Sequence, residues 1–226
     1  MNDSAITVLD RGFVALIDHM GSDLTPVNAA RVSYGKRKEV FDASDAKLLK
    51  YLVDNNHSSP YRHAQLQFHI KAPIFVLRQW MKHRIGSEFN ELSGRYTEFG
   101  LEEFFVPEIF RKQAVVNKQG SEGVVDEQHA ASRLYSDACR SSFTQYKTLL
   151  RLGVAKEQAR GVLPVSIYSE VYWTASLQAV AHFLTLRLDG HAQQEIVEYA
   201  QAVQALVQPL FPVSLPTLLS GGSNIK

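Results

Sequence analysis

The 226-residue chain has one cysteine, no apolar run long enough to cross a bilayer, and a formal net charge of only +1. Each shortage excludes something. A single cysteine rules out an internal disulfide and any CxxC metal site. Cys139 lies in RLYSDACRSSFTQYKTLLRLG, a stretch of helical periodicity, so packing is its expected role and the chemistry has to work without a thiolate. A membrane span needs about 20 consecutive apolar residues. The opening MNDSAITVLD has neither a basic start nor an apolar signal core, so no membrane partner is expected and the expected address is the cytoplasm. With so little net charge the chain is not an electrostatic match for a nucleic-acid polymer, and any basic function has to be local.

Several motifs are missing too. Neither GxGxxG nor GxxxxGK[ST] occurs, which argues against a Rossmann dinucleotide site and a P-loop. No GxSxG elbow surrounds Ser93, so a serine hydrolase is not expected. His57 and His63 flank a Ser-Ser-Pro turn, and His182 and His191 bracket a helix end. No HxxxH, HExxH or carboxylate partner at ligand spacing accompanies them, so no metal is expected.

What is present suits one globular domain spanning residues 1–226, with a frayed tail from about residue 220: 45% of residues are hydrophobic and 21% charged. Ile6 to Leu9 and Phe13 to Ile17 read as a hairpin around Asp10 to Gly12. Thr25 before Pro26 resembles a helix N-cap, and a second helix is expected from near Ser44 to Asn56. QLQFHIK alternates cleanly, placing Leu66, Phe68 and Ile70 on one side of a strand. Pro73 then opens an expected helix through Arg84 with Ile74, Leu77 and Met81 on its buried face. Beyond Pro107 the reading is mostly helical: Asp126 to Leu152, Lys156 to Leu163, Ser176 to Leu188 and His191 to Gln208. Strands precede helices without βαβ alternation, which predicts an α+β fold, a mixed or antiparallel sheet packed with helices.

The segment KHRIGSEFNELSGRY crowds Lys82, His83, Arg84 and Arg95 around only two acidic residues, Glu88 and Glu91. Cationic heads, the hydroxyls of Ser87 and Ser93, and the bare backbone of Gly86 and Gly94 suit a phosphorylated ligand. A solvated turn with scattered charge is the alternative. On the helix from Ser176 to Leu188, Leu177, Val180, Leu184 and Leu188 suffice for a core face, which leaves Gln178, His182 and Arg187 either to function or to simple exposure.

RQWMKHRIGSEFNELSGRY resembles the signature of the flavin-dependent thymidylate synthases, in which Arg-His-Arg is followed after seven residues by Ser and then by an Arg-Tyr pair. LTPVNAARVSY, HSSPYRHAQLQFHIKAPIFVLRQW, ARGVLPVSIYSEVYWTAS and FLTLRLDGHAQQEI are similar to further family stretches, in order from about Asp10 to Tyr199. The resemblance implies transfer of a one-carbon unit from 5,10-methylenetetrahydrofolate to dUMP, giving dTMP, with FAD as hydride carrier and NADPH as reductant. It also implies a homotetramer whose active sites form where subunits meet. It assigns dUMP binding to Gln79, Trp80, Met81, Lys82, Glu91, Leu92, Ser93, Gly94, Arg95, Arg160 and Arg187. It assigns FAD binding to Ser33, Ser59, Lys82, His83, Arg84, Ile85, Glu91, Ser176, Leu177, Gln178 and His182. Arg187 matches the arginine proposed to favour the N3-deprotonated uracil, and Ser93 a hydroxyl that orients substrate.

Three departures stand out. Lys82 replaces the first signature arginine, keeping a cation but losing the planar fork. Eight residues rather than seven separate Arg84 from Ser93, which predicts a local bulge or loop extension. Gln178 and His182 stand where some members carry Arg and Asn. Two rival readings are a flavin oxidoreductase of the same fold that does not methylate dUMP, and a non-catalytic nucleotide or RNA binder that uses the basic segment.

Overall fold

Residues 5–100, 103–116 and 120–221 are described by the structure, a computed structural model. Ala5–Val8 (β1) and Gly12–Met20 (β2) form the expected antiparallel hairpin. Gly12 tolerates no side chain, because a Cβ there would lie 1.9 Å from the Tyr199 hydroxyl. The first helix, Leu24–Arg31 (α1), begins one residue before Thr25 with Asp23 at its N-cap position. The Asp23 carboxylate does not cap it, and accepts instead from the backbone N–H groups of Val213 and Ser214. Ala43–Asp54 (α2) opens with a capping box between Asp42 and Asp45.

The alternating run becomes Gln65–Pro73 (β3), with Leu66, Phe68 and Ile70 buried. The following helix, Ile74–Trp80 (α3), stops before the basic residues. Its buried residues are Val76, Leu77 and Trp80, not the Ile74–Leu77–Met81 face expected. A short strand follows, Ser87–Glu91 (β4), and Arg111–Gln113 (β5) pairs with Ser121–Val124 (β6) as a separate hairpin. Gln128–Arg151 (α4) and Lys156–Ala159 (α5) match expected helices, though α5 passes into a 3-10 turn at Arg160.

The expectation of a helical second half misses Tyr168–Ser176 (β7), which pairs with both β3 and β4. Its signal was present: Val171, Trp173 and Ala175 are buried and alternate with Glu170, Tyr172 and Thr174, in a stretch rich in β-formers. Leu177–Arg187 (α6), Gln194–Val207 (α7) and Ser214–Gly221 (α8) complete the chain. Ser220 and Gly221, expected to open a frayed tail, are helical, and residues 222–226 lie outside those described.

The five-stranded sheet has the order β1-β2-β3-β7-β4 and every pairing is antiparallel, so the class is α+β, in a single domain. One sheet face carries Phe68 and Trp173 into a core shared with α3, α6 and α7. A smaller cluster of Phe99, Phe143, Tyr146, Ala159 and Ile167 sits under α4 and α5. Strand β4 pairs from Ser87 to Glu91 without a register shift, so the extra signature residue makes no bulge within it. Between the helices, Trp80 stacks on Phe183 at 4.5 Å and 17°, and both are fully buried. Phe183→Ala should lower stability by about 3–5 kcal/mol, read as a shift in the urea midpoint at unchanged slope. A cost below about 1 kcal/mol would show that this contact does not hold α3 to α6.

Candidate active site

Two strand-to-helix junctions build the site. Strand β3 passes through Pro73 directly into α3, and β7 passes through Ser176 into α6, where the Ser176 hydroxyl accepts from the Ala179 N–H. Because β3 and β7 pair from Gln65↔Ser176 to Pro73↔Tyr168, the two helices leave opposite ends of one ladder. Their far ends meet. After Trp80 the chain turns tightly, exposing Lys82, Arg84 and Ile85 and burying His83 to 8% exposure. The turn is fixed by the Ser87 hydroxyl donating to the His83 carbonyl, and by Gly86, whose φ of +74° disfavours a side chain.

Arg187, in the last turn of α6, reaches this corner. Its Nε donates to His83 Nε2 at 3.0 Å and its terminal nitrogen to the Gln79 carbonyl at 3.3 Å. A guanidinium can only donate, so His83 Nε2 must present its lone pair and the ring proton sits on Nδ1. Burial, with Arg187 and His182 nearby, pushes the His83 pKa down to about 4. Burial also lowers that of Arg187 from the ordinary arginine value.

Two neighbouring hollows sharing Val165 hold most of the expected nucleotide residues. One, of about 440 Å³, is lined by Phe75, Arg78, Gln79, Lys82, Val165 and Arg187. The other, of about 150 Å³, includes Glu91, Leu92, Gly94 and Arg160. Gly94 is needed there because a Cβ would lie 2.6 Å from the Phe99 ring and 3.1 Å from Arg160. Ser93 is half-buried and its hydroxyl accepts from the Arg95 N–H, while Arg95 is exposed and faces Glu157 at 3.5 Å.

Apart from Lys82, His83 and Glu91, placed above, the expected flavin residues lie on other surfaces. Arg84 and Ser176 share a hollow of about 340 Å³ with Arg62, Gly86, Ser87 and Thr174. Gln178 and His182 line a cavity of about 270 Å³ with His57, Ser58, Thr185 and Leu186. Ile85 is 86% exposed beside the basic turn. Ser33 is exposed on the 3-10 turn after α1 and lines none of these hollows; Ser59, also exposed, adjoins Ser58.

Two expectations need correction. The side chains of Trp80 and Leu177 are fully buried in the core, so at these two positions only the main chain can meet a ligand, while that of Met81 is partly buried against the core. Conversely, Arg78, Val165, His57 and Arg62 line hollows although no site role was expected of them. Arg78 had a signal, lying one helical turn before Lys82. Val165 had none. Cys139 is buried, and its sulfur faces the Ser166 hydroxyl at 3.4 Å. Among the described residues no group of three or more His, Cys, Asp or Glu could hold a metal, and no helix is long and apolar enough to cross a membrane.

Residues 15–213 match the family model described as thymidylate synthase complementing protein. A flavin-dependent thymidylate synthase of Kosmotoga olearia is 45% identical over 95% of this chain and 93% of its own length. One from Thermus thermophilus is 47% identical over 92% of this chain and 76% of its own length. Among solved structures, the UMP/dUMP methylase PolB of Streptomyces cacaoi bound with 5-Br dUMP superposes with a TM-score of 0.85 at 35% identity, covering 96% of this chain and 98% of that one.

The depressed His83 pKa has a signed consequence. Between about pH 6.5 and pH 4 the unfolded chain binds a proton at this position that the folded chain refuses, so stability falls as pH drops through that window. His83→Gln should flatten that part of the stability profile, measured by urea unfolding at each pH. An unaltered slope would mean that His83 titrates normally.

Proposed function

The chain belongs to the thymidylate synthase complementing protein family, that of the flavin-dependent thymidylate synthases, and from that membership we propose how its residues methylate dUMP. It is a methyltransferase. In the full reaction the methylene carbon of 5,10-methylenetetrahydrofolate joins C5 of dUMP, C5 loses its proton, and NADPH supplies the two electrons that complete the methyl group. The products are dTMP, tetrahydrofolate and NADP⁺.

The observation that carries this reading is the corner where Arg187 meets His83 and Gln79, beside a hollow also lined by Arg78 and Lys82. Among the described residues no carboxylate lies within ion-pair distance of Arg187, so its charge is left for a ligand. That charge stabilises the uracil anion formed when N3 loses its proton, which enriches electron density at C5. Neutral His83 holds the guanidinium without competing for it. Gln79, Lys82, Glu91, Leu92, Ser93, Gly94, Arg95 and Arg160 surround the nucleotide, with Arg95 a bidentate partner for phosphate. Trp80 contributes main chain only, and Met81 flanks the nucleotide from the edge of the core. Ser93 orients substrate and is not a nucleophile, since its hydroxyl partner is a backbone N–H and not a base.

The flavin fits residues that one chain leaves unsatisfied. The Gln178 side-chain oxygen is buried without a hydrogen-bond partner, and Gln178 lines the cavity that His182 also lines. A heterocycle with ring N–H and carbonyl groups answers such a site. Gln178, His182, Ser176, Arg84, Ile85, Lys82, Glu91 and His83 would hold it, with Ser33, Ser59 and the Leu177 main chain. When bound, FAD supplies the hydride that turns methylene into methyl. Apart from Lys82 and Glu91, which belong to both sets, the nucleotide and flavin residues lie apart in a single protomer, which supports sites completed by neighbouring subunits, in the homotetramer that the family resemblance implies.

Tritium release from C5-labelled dUMP, requiring FAD, NADPH and the folate together, tests the reading; NADPH oxidation without release would contradict it. Arg187→Ala should retain FAD and lose release by about 100-fold or more. Cys139→Ala should keep activity and Ser93→Ala should keep reduced but measurable turnover, as loss of an orienting hydroxyl and not of a nucleophile requires; a dead Cys139→Ala protein that still binds FAD would restore the thiolate route.

A further inference from the structure

A line of hydrogen bonds leaves the nucleotide hollow and ends on a hairpin outside it. The Gln79 amide nitrogen donates to Gln193 Oε1 at 2.6 Å, and the Gln193 amide nitrogen donates to Glu195 Oε2 at 2.7 Å. Glu195 is buried to 5% exposure, and its Oε1 accepts from the Arg111 guanidinium at 2.8 Å. Arg111 belongs to β5, and its Nε donates to the Ser121 hydroxyl on β6. The hairpin is anchored independently by Gln128, whose side chain bonds both the N–H and the carbonyl of Phe110.

The direction of this line is dictated by chemistry. A carboxylate can only accept, so Glu195 compels Gln193 to turn its NH₂ inward and its carbonyl outward. That carbonyl in turn compels Gln79 to give it an N–H. Gln79 then keeps its own carbonyl and one remaining N–H for whatever occupies the hollow. A free glutamine amide would sample both orientations and several rotamers, and ordering it costs binding energy. We propose that Gln193, Glu195 and Arg111 are positioning residues that preset the Gln79 amide for a pyrimidine nucleoside monophosphate. The inference rests on the dUMP reading above and adds to it a part for α7 and the β5–β6 hairpin. The outer link, Gln79 to Gln193, is solvent-exposed, so its effect is modest.

The test is equilibrium dialysis of dUMP against purified, FAD-supplemented full-length protein. Gln193→Leu and Gln193→Met keep bulk but offer the Gln79 amide no acceptor. Each should weaken dUMP binding by about 3- to 5-fold, with the bound-flavin spectrum and the thermal midpoint unchanged. In a Gln79→Ala background Gln193→Met should have no further effect, because the relay acts only through that amide. Glu195→Gln, which can donate as well as accept, should reproduce the loss; if it does not fold, the Gln193 pair decides alone. Wild-type affinity in both Gln193 variants, or an undiminished effect without Gln79, overturns the relay. Failure of the unmutated protein to bind dUMP overturns the nucleotide reading itself.

Discussion

The Arg187 guanidinium draws the ends of α6 and α3 together by donating to the His83 ring and the Gln79 carbonyl, and most of the proposed chemistry is organised around that meeting. A half-buried charge is costly unless it is hydrogen-bonded. Here it is met by a ring lone pair and a backbone oxygen, and it sits where two helix C-termini direct their negative ends. None of these partners neutralises it. The arrangement holds the guanidinium in place while leaving its charge for an anion that forms during the reaction.

The geometry of that corner depends on the sheet. Strands β3 and β7 pair along their whole lengths, and each runs into a helix without an intervening loop. A register slip of one residue would turn Phe68 and Trp173 out of the core. It would also displace Pro73 and Ser176, from which α3 and α6 start. The stacked contacts of Trp80 with Phe183, and of Phe68 with Trp173 at 5.2 Å, transmit the register to the helix ends. Core packing and site geometry are therefore one constraint.

Local pattern revealed what local pattern controls. The alternation around Phe68, the helix beginning near Ser44 and the long helix bearing Cys139 were legible because their period lies within a few residues. Strand β7 was legible in principle but sits among helices, and its apolar residues also suit a helix. The early end of α3 was not legible, since Met81 and Lys82 are good helix formers and only the need to begin β4 stops them. The start of α1 was misread at Thr25, and the bonds of Asp23 to Val213 and Ser214 were not legible because those partners lie at the far end of the chain. Among site residues, the cations were visible as types. The inward turn of His83, the burial of Trp80 and Leu177, and the link from Gln79 to Gln193 were not, because each depends on how helices pack.

The direct measurement of this account is a nitrogen NMR titration of the His83 ring. The account predicts a neutral imidazole with its proton on Nδ1 and a bare Nε2 accepting from Arg187, persisting until the pH falls to about 4. A proton on Nε2, or titration near the ordinary histidine value of about 6.5, would show that Arg187 is not held as described.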